Sequence, residues 1–217
     1  MIPATQLELD HVLMAVTDLT AAAARLEGRF GLASVEGGRH AAWGTANRIV
    51  PLGESYLELV TVEDEIAAAK STFGRWVGAM RSPAGRLIGW AVRTKDLDSI
   101  ARRLDLGISD GSRRDPSGVE LRWRGAGLEA AAAEPALPFF IEWDPRTPHP
   151  GRLSAAHRIG EVKLARLELT ADPVRLAAWL GEGWLPIVVQ PGAPAVTRVI
   201  LRAREREIVL GEADTRG

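Results

Sequence analysis

"LELDHVLMAVTDLTAAAARLEGRFGL", residues 7–32, reads as an alternating apolar strand, an Asp18-Leu19 step, a helix and a glycine stop. The order returns at 87–108, "LIGWAVRTKDLDSIARRLDLGI", where Asp96-Leu97 stands in the place of Asp18-Leu19. A fainter copy begins at 163, "KLARLELTADPVRLAAWLGEGWLPI", with Asp172 as the cap and Pro173 as the first helical residue. An aspartate at each step is explained by capping, since its carboxylate accepts a hydrogen bond from a free N–H of the first helical turn.

Strand-like segments follow each helix. In the first copy they are 33–36, 42–51 and 55–62, the last two joined by a hairpin turn. In the second they are 118–125 and 138–143, separated by "LEAAAAEPA", a loop or a helical turn; the third offers "PIVVQ", "AVTRVILRA" and "REIVLG". Between the first two copies, Ile66, Ala69, Phe73, Trp76 and Val77 fall at helical spacing, a connector expected to pack on a sheet. The Pro- and Gly-rich stretch after Trp143 marks a boundary. The expected fold is α+β, with paired β-α-β-β-β units forming an open curved barrel around a cavity. Residues 7–143 make that domain, 144–158 the connection, and 159–211 a third, partial unit of β-α-β type.

The chain has 217 residues, 46% hydrophobic and 25% charged, enough to bury a sizeable core. A net charge of −1 gives no general attraction to phosphate backbones or anionic membranes, so neither nucleic acid nor membrane is an expected partner. The absence of cysteine removes thiolate chemistry and leaves His, Asp and Glu for any metal. The N-terminus lacks the basic and small-residue regions of a secretory signal, and no apolar run is long enough to span a bilayer, so the expected location is cytoplasmic. No Walker A sequence, nucleophile elbow, H-E-x-x-H or dinucleotide fingerprint is present. The run "RARERE" reads as a solvated edge.

Three polar residues interrupt the apolar strands. Glu58 lies between leucines in "SYLELVTV", Glu142 between Ile141 and Trp143 in "PFFIEW", and His11 shares a strand face with Leu13 and Ala15. Taken singly, such residues are ordinarily salt-bridged, solvated or hydrogen-bonded in the core. Their placement in the first and last strands of repeated units instead suggests that the three line one cavity, because a buried carboxylate needs a partner.

In these residues the chain resembles the vicinal oxygen chelate superfamily, which includes glyoxalase I, extradiol dioxygenases, epimerases and antibiotic-resistance proteins, and most closely glyoxalase-like domain proteins. The resemblance covers about residues 7–143 and continues more weakly beyond. It implies a metal held by a first-strand residue and a last-strand glutamate of each unit: His11, Glu58 and Glu142, with Glu58 and Glu142 as catalytic carboxylates. The fourth position falls on Gly89, which has no donor, so the implied cofactor is one divalent ion or none. "HAAWGTANR" resembles the signature of glyoxalase-like domains, and its His40, Thr45 and Asn47 are expected to orient a small polar ligand. His149 and His157 sit in the Pro-rich connection, which could fold over the cavity mouth or remain solvated. The implied function is a glyoxalase-like enzyme, a lyase or isomerase acting on a small oxygen-containing molecule. The alternative is a metal-free protein that binds a small molecule or sequesters an antibiotic. A small-molecule ligand and a homodimer partner complete the expectation.

Overall fold

The computed structural model describes residues 6–204 and 206–211. The first unit runs β1 (Glu8–Ala15), α1 (Leu19–Phe30), β2 (Val35–His40), β3 (Thr45–Pro51) and β4 (Tyr56–Val62). Two short helices follow, α2 (Glu65–Ala68) and α3 (Thr72–Met80). The second unit comprises β5 (Arg86–Arg93), α4 (Leu97–Leu104), β6 (Ile108–Arg114), β7 (Glu120–Ala126), α5 (Leu128–Ala133) and β8 (Phe139–Trp143). The capping aspartates act as their sequence context requires. Asp18 accepts from the Ala21 N–H and Asp96 from the Ser99 N–H, and Gly31 ends α1 at φ 70°, a left-handed conformation glycine adopts without strain.

The eight strands close into a barrel in the order β1-β4-β3-β2-β6-β7-β8-β5. Each unit contributes its strands in the same internal order, with β1 antiparallel to β5 at one seam and β2 meeting β6 at the other. Across the β1–β5 seam Val12 lies opposite Trp90, flanked by the pairs His11–Ala91 and Leu13–Gly89. A pseudo-two-fold axis through the Val12–Trp90 pair therefore exchanges the units and carries His11 onto Gly89 and Asp18 onto Asp96, as counting from the caps implies.

The same axis corrects the expectation for Glu142. Leu13 pairs with Glu58 on β4, and its counterpart Ala91 pairs with Phe139 on β8, so Phe139 is the equivalent of Glu58. Glu142 lies an odd number of residues from Phe139 and points to the other face of the sheet. There it forms an ion pair with Arg124, which also binds Asp98.

Alternation sorts the apolar residues into two cores. On the outer face Val12, Leu57, Trp90, Val92 and Phe140 pack with Leu26 of α1 and Leu97 and Ile100 of α4. On the inner face Leu13, Ala15 and Val60 meet Phe73, Trp76 and Val77 of α3, as the helical spacing anticipates; Ile66 of α2 instead points to solvent. The "LEAAAAEPA" segment resolves as α5, whose Ala131 joins the inner core.

The remaining elements are β9 (Val162–Ala171), α6 (Pro173–Leu180), β10 (Ile187–Pro191), β11 (Ala195–Ala203) and β12 (Arg206–Gly211), forming a separate sheet ordered β10-β9-β11-β12. Its β9-α6-β10 portion is the expected β-α-β unit, with β10 parallel to β9. Its topology departs from the other two units, because its first strand is central rather than beside the last. One face, with Leu167, Leu169, Val199 and Leu201, extends the outer core of the barrel, and Trp179 of α6 stacks on Phe140 at 6.0 Å. The other carries an ion-pair ladder of Arg166, Glu168, Arg198 and Glu207. The third unit thus buries the outside of the barrel, and none of its described residues lines the interior chamber.

Candidate functional site

Inside the barrel, side chains from both units surround a chamber of about 50 Å³. It is lined by His11, Asn47, Tyr56 and Glu58 of the first unit, Arg113, Trp123, Phe139 and Trp143 of the second, and His40, Trp43 and Phe73 near the first unit's turn and α3. His40, Trp43, Arg113, Trp123 and Trp143 also border a wider groove of about 1520 Å³, which leads from the chamber to solvent.

The polar centre is a chain of three residues. Asp10 is fully buried, and its Oδ2 lies 2.7 Å from His11 Nδ1. Its Oδ1 accepts from Trp143 Nε1 at 3.0 Å and from His149 Nε2 at 2.9 Å. His149 accepts the Gly151 N–H at Nδ1, which leaves its proton on Nε2 for Asp10. Burial alone would raise the Asp10 carboxyl, but its hydrogen bonds from His11 and His149 outweigh that and hold it far below the ordinary carboxylate range. An ionised Asp10 can only accept, so His11 donates from Nδ1 and turns Nε2 toward Glu58 Oε2, 3.5 Å away. Glu58 Oε1 in turn accepts from Asn47 Nδ2 at 2.7 Å.

Asp10 and His11 are adjacent in one strand and would ordinarily face opposite sides. The register between β1 and β5 steps from Leu9–Val92 directly to His11–Ala91, so Asp10 is the extra residue of a β-bulge. The bulge re-aims the carboxylate toward its neighbour's ring. Another bulge, at Gly37, backs Asn47: a Cβ there would collide with the Asn47 side-chain amide.

Tyr56 stacks on the His11 ring at 4.6 Å, and Phe139 meets it edge-on at 5.4 Å. Burial and the nearby Asp10 and Glu58 carboxylates raise the Tyr56 phenol well above its usual value, keeping it protonated. His40 is buried against Trp43, Phe73 and Trp123, with Nδ1 3.0 Å from Thr45 Oγ1. Burial pushes its imidazole down to about 4, opposed by Glu58 and aided by Arg113 and His11, so the ring is neutral at neutral pH. Two buried polar atoms have no hydrogen-bond partner here, Asn47 Oδ1 and Arg113 Nη1.

The structure therefore brings together His11, Glu58, Asn47 and His40, and places Thr45 beside them as the partner of His40. Glu142 is not among them. His149 reaches the site through Asp10, whereas His157 is a structural residue, accepting the Ala33 N–H and donating to the Pro51 carbonyl. Sequence reasoning missed Asp10, Tyr56, Arg113, Phe139 and Trp143. The aspartate next to His11 was the one available signal, and alternation placed it on the wrong face.

The donor set does not fit the four-ligand metal site that the resemblance implies. Of the four positions related by the two-fold, His11 and Glu58 carry donors, while Gly89 and Phe139 carry none. Every oxygen of Asp10 and Glu58 already faces a side-chain donor or the His11 ring. Trp76 fills the space beside Gly89, where a Cβ would run into its indole. Among the described residues no group of three or more His, Asp or Glu is arranged to hold a metal ion.

Two β-α-β-β-β units closed around an interior site define the vicinal oxygen chelate fold. The chain belongs to the glyoxalase-like domain family, which matches residues 9–185. Among solved structures, a hypothetical protein from Staphylococcus aureus is similar at 14% identity and a TM-score of 0.61, covering 94% of this chain and 84% of that one. A methylmalonyl-CoA epimerase from Mycobacterium tuberculosis is similar at 23% identity and a TM-score of 0.42, over 63% of this chain and 87% of that one. These likenesses concern the fold. No curated protein sequence matches the chain. No helix of the described residues is long and apolar enough to cross a membrane.

Proposed function

We propose that the protein is an enzyme of isomerase or lyase type that moves a proton on a small oxygen-bearing organic molecule, with His11 and Glu58 as the proton-carrying pair. The observation that carries this reading is the Asp10–His11–Glu58 line. Asp10 fixes the tautomer and orientation of the imidazole, and its second nitrogen, 3.5 Å from Glu58 Oε2 on the chamber wall, is the base of the pair. In such a step a proton leaves a carbon next to a carbonyl for His11 Nε2, and the C–H electron pair moves into the carbonyl to give an enolate. Glu58 accepts or relays the proton, which returns to carbon or oxygen. The protonated Tyr56 phenol and the Asn47 amide are the neutral groups available to the substrate oxygen. The proton transfer uses the chain's own side chains, since the second unit carries no donor at the positions equivalent to His11 and Glu58.

The test is hydrogen exchange followed by NMR in D2O, with hydroxyacetone as a neutral probe and pyruvate as an anionic one. The wild type should accelerate loss of the C–H signals beside the carbonyl. His11→Asn and Glu58→Gln should each lower that rate by about 100-fold or more. No acceleration over buffer with either probe, or variants as fast as wild type, would refute the assignment.

The second reading is a metal-free binding protein. It is favoured by Gly89 and Phe139, which leave the second unit without a donor at the two positions equivalent to His11 and Glu58, and by the aromatic walls of the chamber. Saturable ligand binding without any exchange would select it.

A further inference from the structure

Arg113 on β6 is 4% exposed and borders both the chamber and the groove, and its side chain forms no hydrogen bond or ion pair with the described residues. Its Nη1 is sealed from solvent without a partner. Among the other arginines of the groove, Arg39 is matched with Glu63, Arg93 with Glu8, Arg122 with Glu120, Arg124 with Glu142 and Arg152 with Glu54, while Arg114 is exposed to solvent. Leaving a buried guanidinium uncompensated costs several kcal/mol by its desolvation alone. The acidic groups nearby do not relieve it: Glu58 directs its oxygens to Asn47 and His11, and Asp115, which acts on Arg113 only through space, turns Oδ1 to the Ser117 and Val119 N–H groups and the Ser117 hydroxyl.

We propose that Arg113 is the anchor for the carboxylate of an organic anion, seated at the junction of chamber and groove. This deepens the proton-transfer reading by naming a substrate class, and it rests on that reading for the identity of the reacting end. A guanidinium offers a planar fork of N–H donors that matches a carboxylate in two parallel bonds. The walls around it are flat: Trp43, Trp123 and Trp143 line the same junction, and Trp123 and Trp143 lie 5.3 Å apart. A space of about 50 Å³ holds only a few heavy atoms, so a larger substrate would leave its remainder in the groove. With His40 neutral, Arg113 is the cation of that junction without an anionic partner, and an incoming carboxylate supplies one.

The experiment titrates the intact protein with acetate, pyruvate and benzoate, with acetamide and benzamide as neutral isosteres, and with inorganic phosphate as a tetrahedral anion. Tryptophan fluorescence reports occupancy through Trp43, Trp123 and Trp143, and thermal shift reports it independently. At least one carboxylate should bind saturably in the millimolar range or tighter while its amide does not. Arg113→Gln should weaken that carboxylate by about 30-fold or more and leave the ligand-free melting temperature equal or higher, because an uncompensated charge has been removed. Arg113→Lys keeps the charge without the fork and should retain part of the affinity; it serves as the check if Arg113→Gln does not fold.

Amides binding as tightly as carboxylates would overturn the proposal. So would phosphate binding in preference to every carboxylate, no saturable carboxylate binding, or unchanged affinity in Arg113→Gln. The two readings separate in the wild type. Exchange on hydroxyacetone without carboxylate binding removes only the anchor, and carboxylate binding without exchange on either probe removes only the proton transfer.

Discussion

Lowering the pH from 7.5 to 5 should destabilise this protein through one residue, His40. In the folded chain its imidazole is pushed down to about 4 from the ordinary 6.5, chiefly by burial. Glu58 opposes the shift, while Arg113 and His11 reinforce it. A base whose folded value is depressed stays neutral in the native state while the unfolded chain takes up a proton. Its contribution is therefore complete above about 6.5 and is lost progressively as the pH falls toward 4. Each pH unit within that window is worth about 1.4 kcal/mol, so the loss is about 2 kcal/mol by pH 5 and about 3 kcal/mol by pH 4. Urea unfolding at pH 7.5, 6.5, 5.5 and 5 would measure it, with His40→Gln as the reference, since glutamine keeps a polar group near Thr45 but does not titrate. The wild type should lose about 2 kcal/mol more than His40→Gln between pH 7.5 and 5. Parallel pH dependences for the two proteins would refute the burial argument and show that the ring protonates in place.

Two further outcomes follow from the register of the barrel. Gly89→His adds no ligand in open space, because its Cβ enters the Trp76 indole, and such overpacking should cost at least about 1–3 kcal/mol, read as a lower urea midpoint; an unchanged midpoint would contradict the packing. Glu142→Gln should cost less than about 1 kcal/mol and leave hydrogen exchange as in the wild type, because Glu142 is paired with the half-exposed Arg124 outside the chamber; a large loss of exchange would return it to the site.

The repeat was legible in the sequence because its signals are local. Asp18 and Asp96 cap helices through bonds to N–H groups three residues away, and Gly31 ends its helix by its own backbone freedom. Equal spacing from those caps was enough to align Gly89 with His11, and the seam between β1 and β5 obeys the same spacing. His11, Glu58 and Asn47 were recognisable because each is a polar residue amid an apolar strand, and burying such a group demands a partner.

What the sequence could not supply was register and the bulge. Glu142 looked equivalent to Glu58 because both are lone glutamates in a closing strand, yet β8 pairs with β5 so that Phe139 takes that place. An odd offset then sends Glu142 to the opposite face. Asp10 entered the site through an extra residue in one strand, which only pairing with a distant strand reveals. Arg113 drew no notice in an arginine-rich segment, and its significance lies in a partner it lacks. Local chemistry determined the units and their caps. The closing of the barrel, a sum of long-range pairings, decided which side chains share a chamber and which do not.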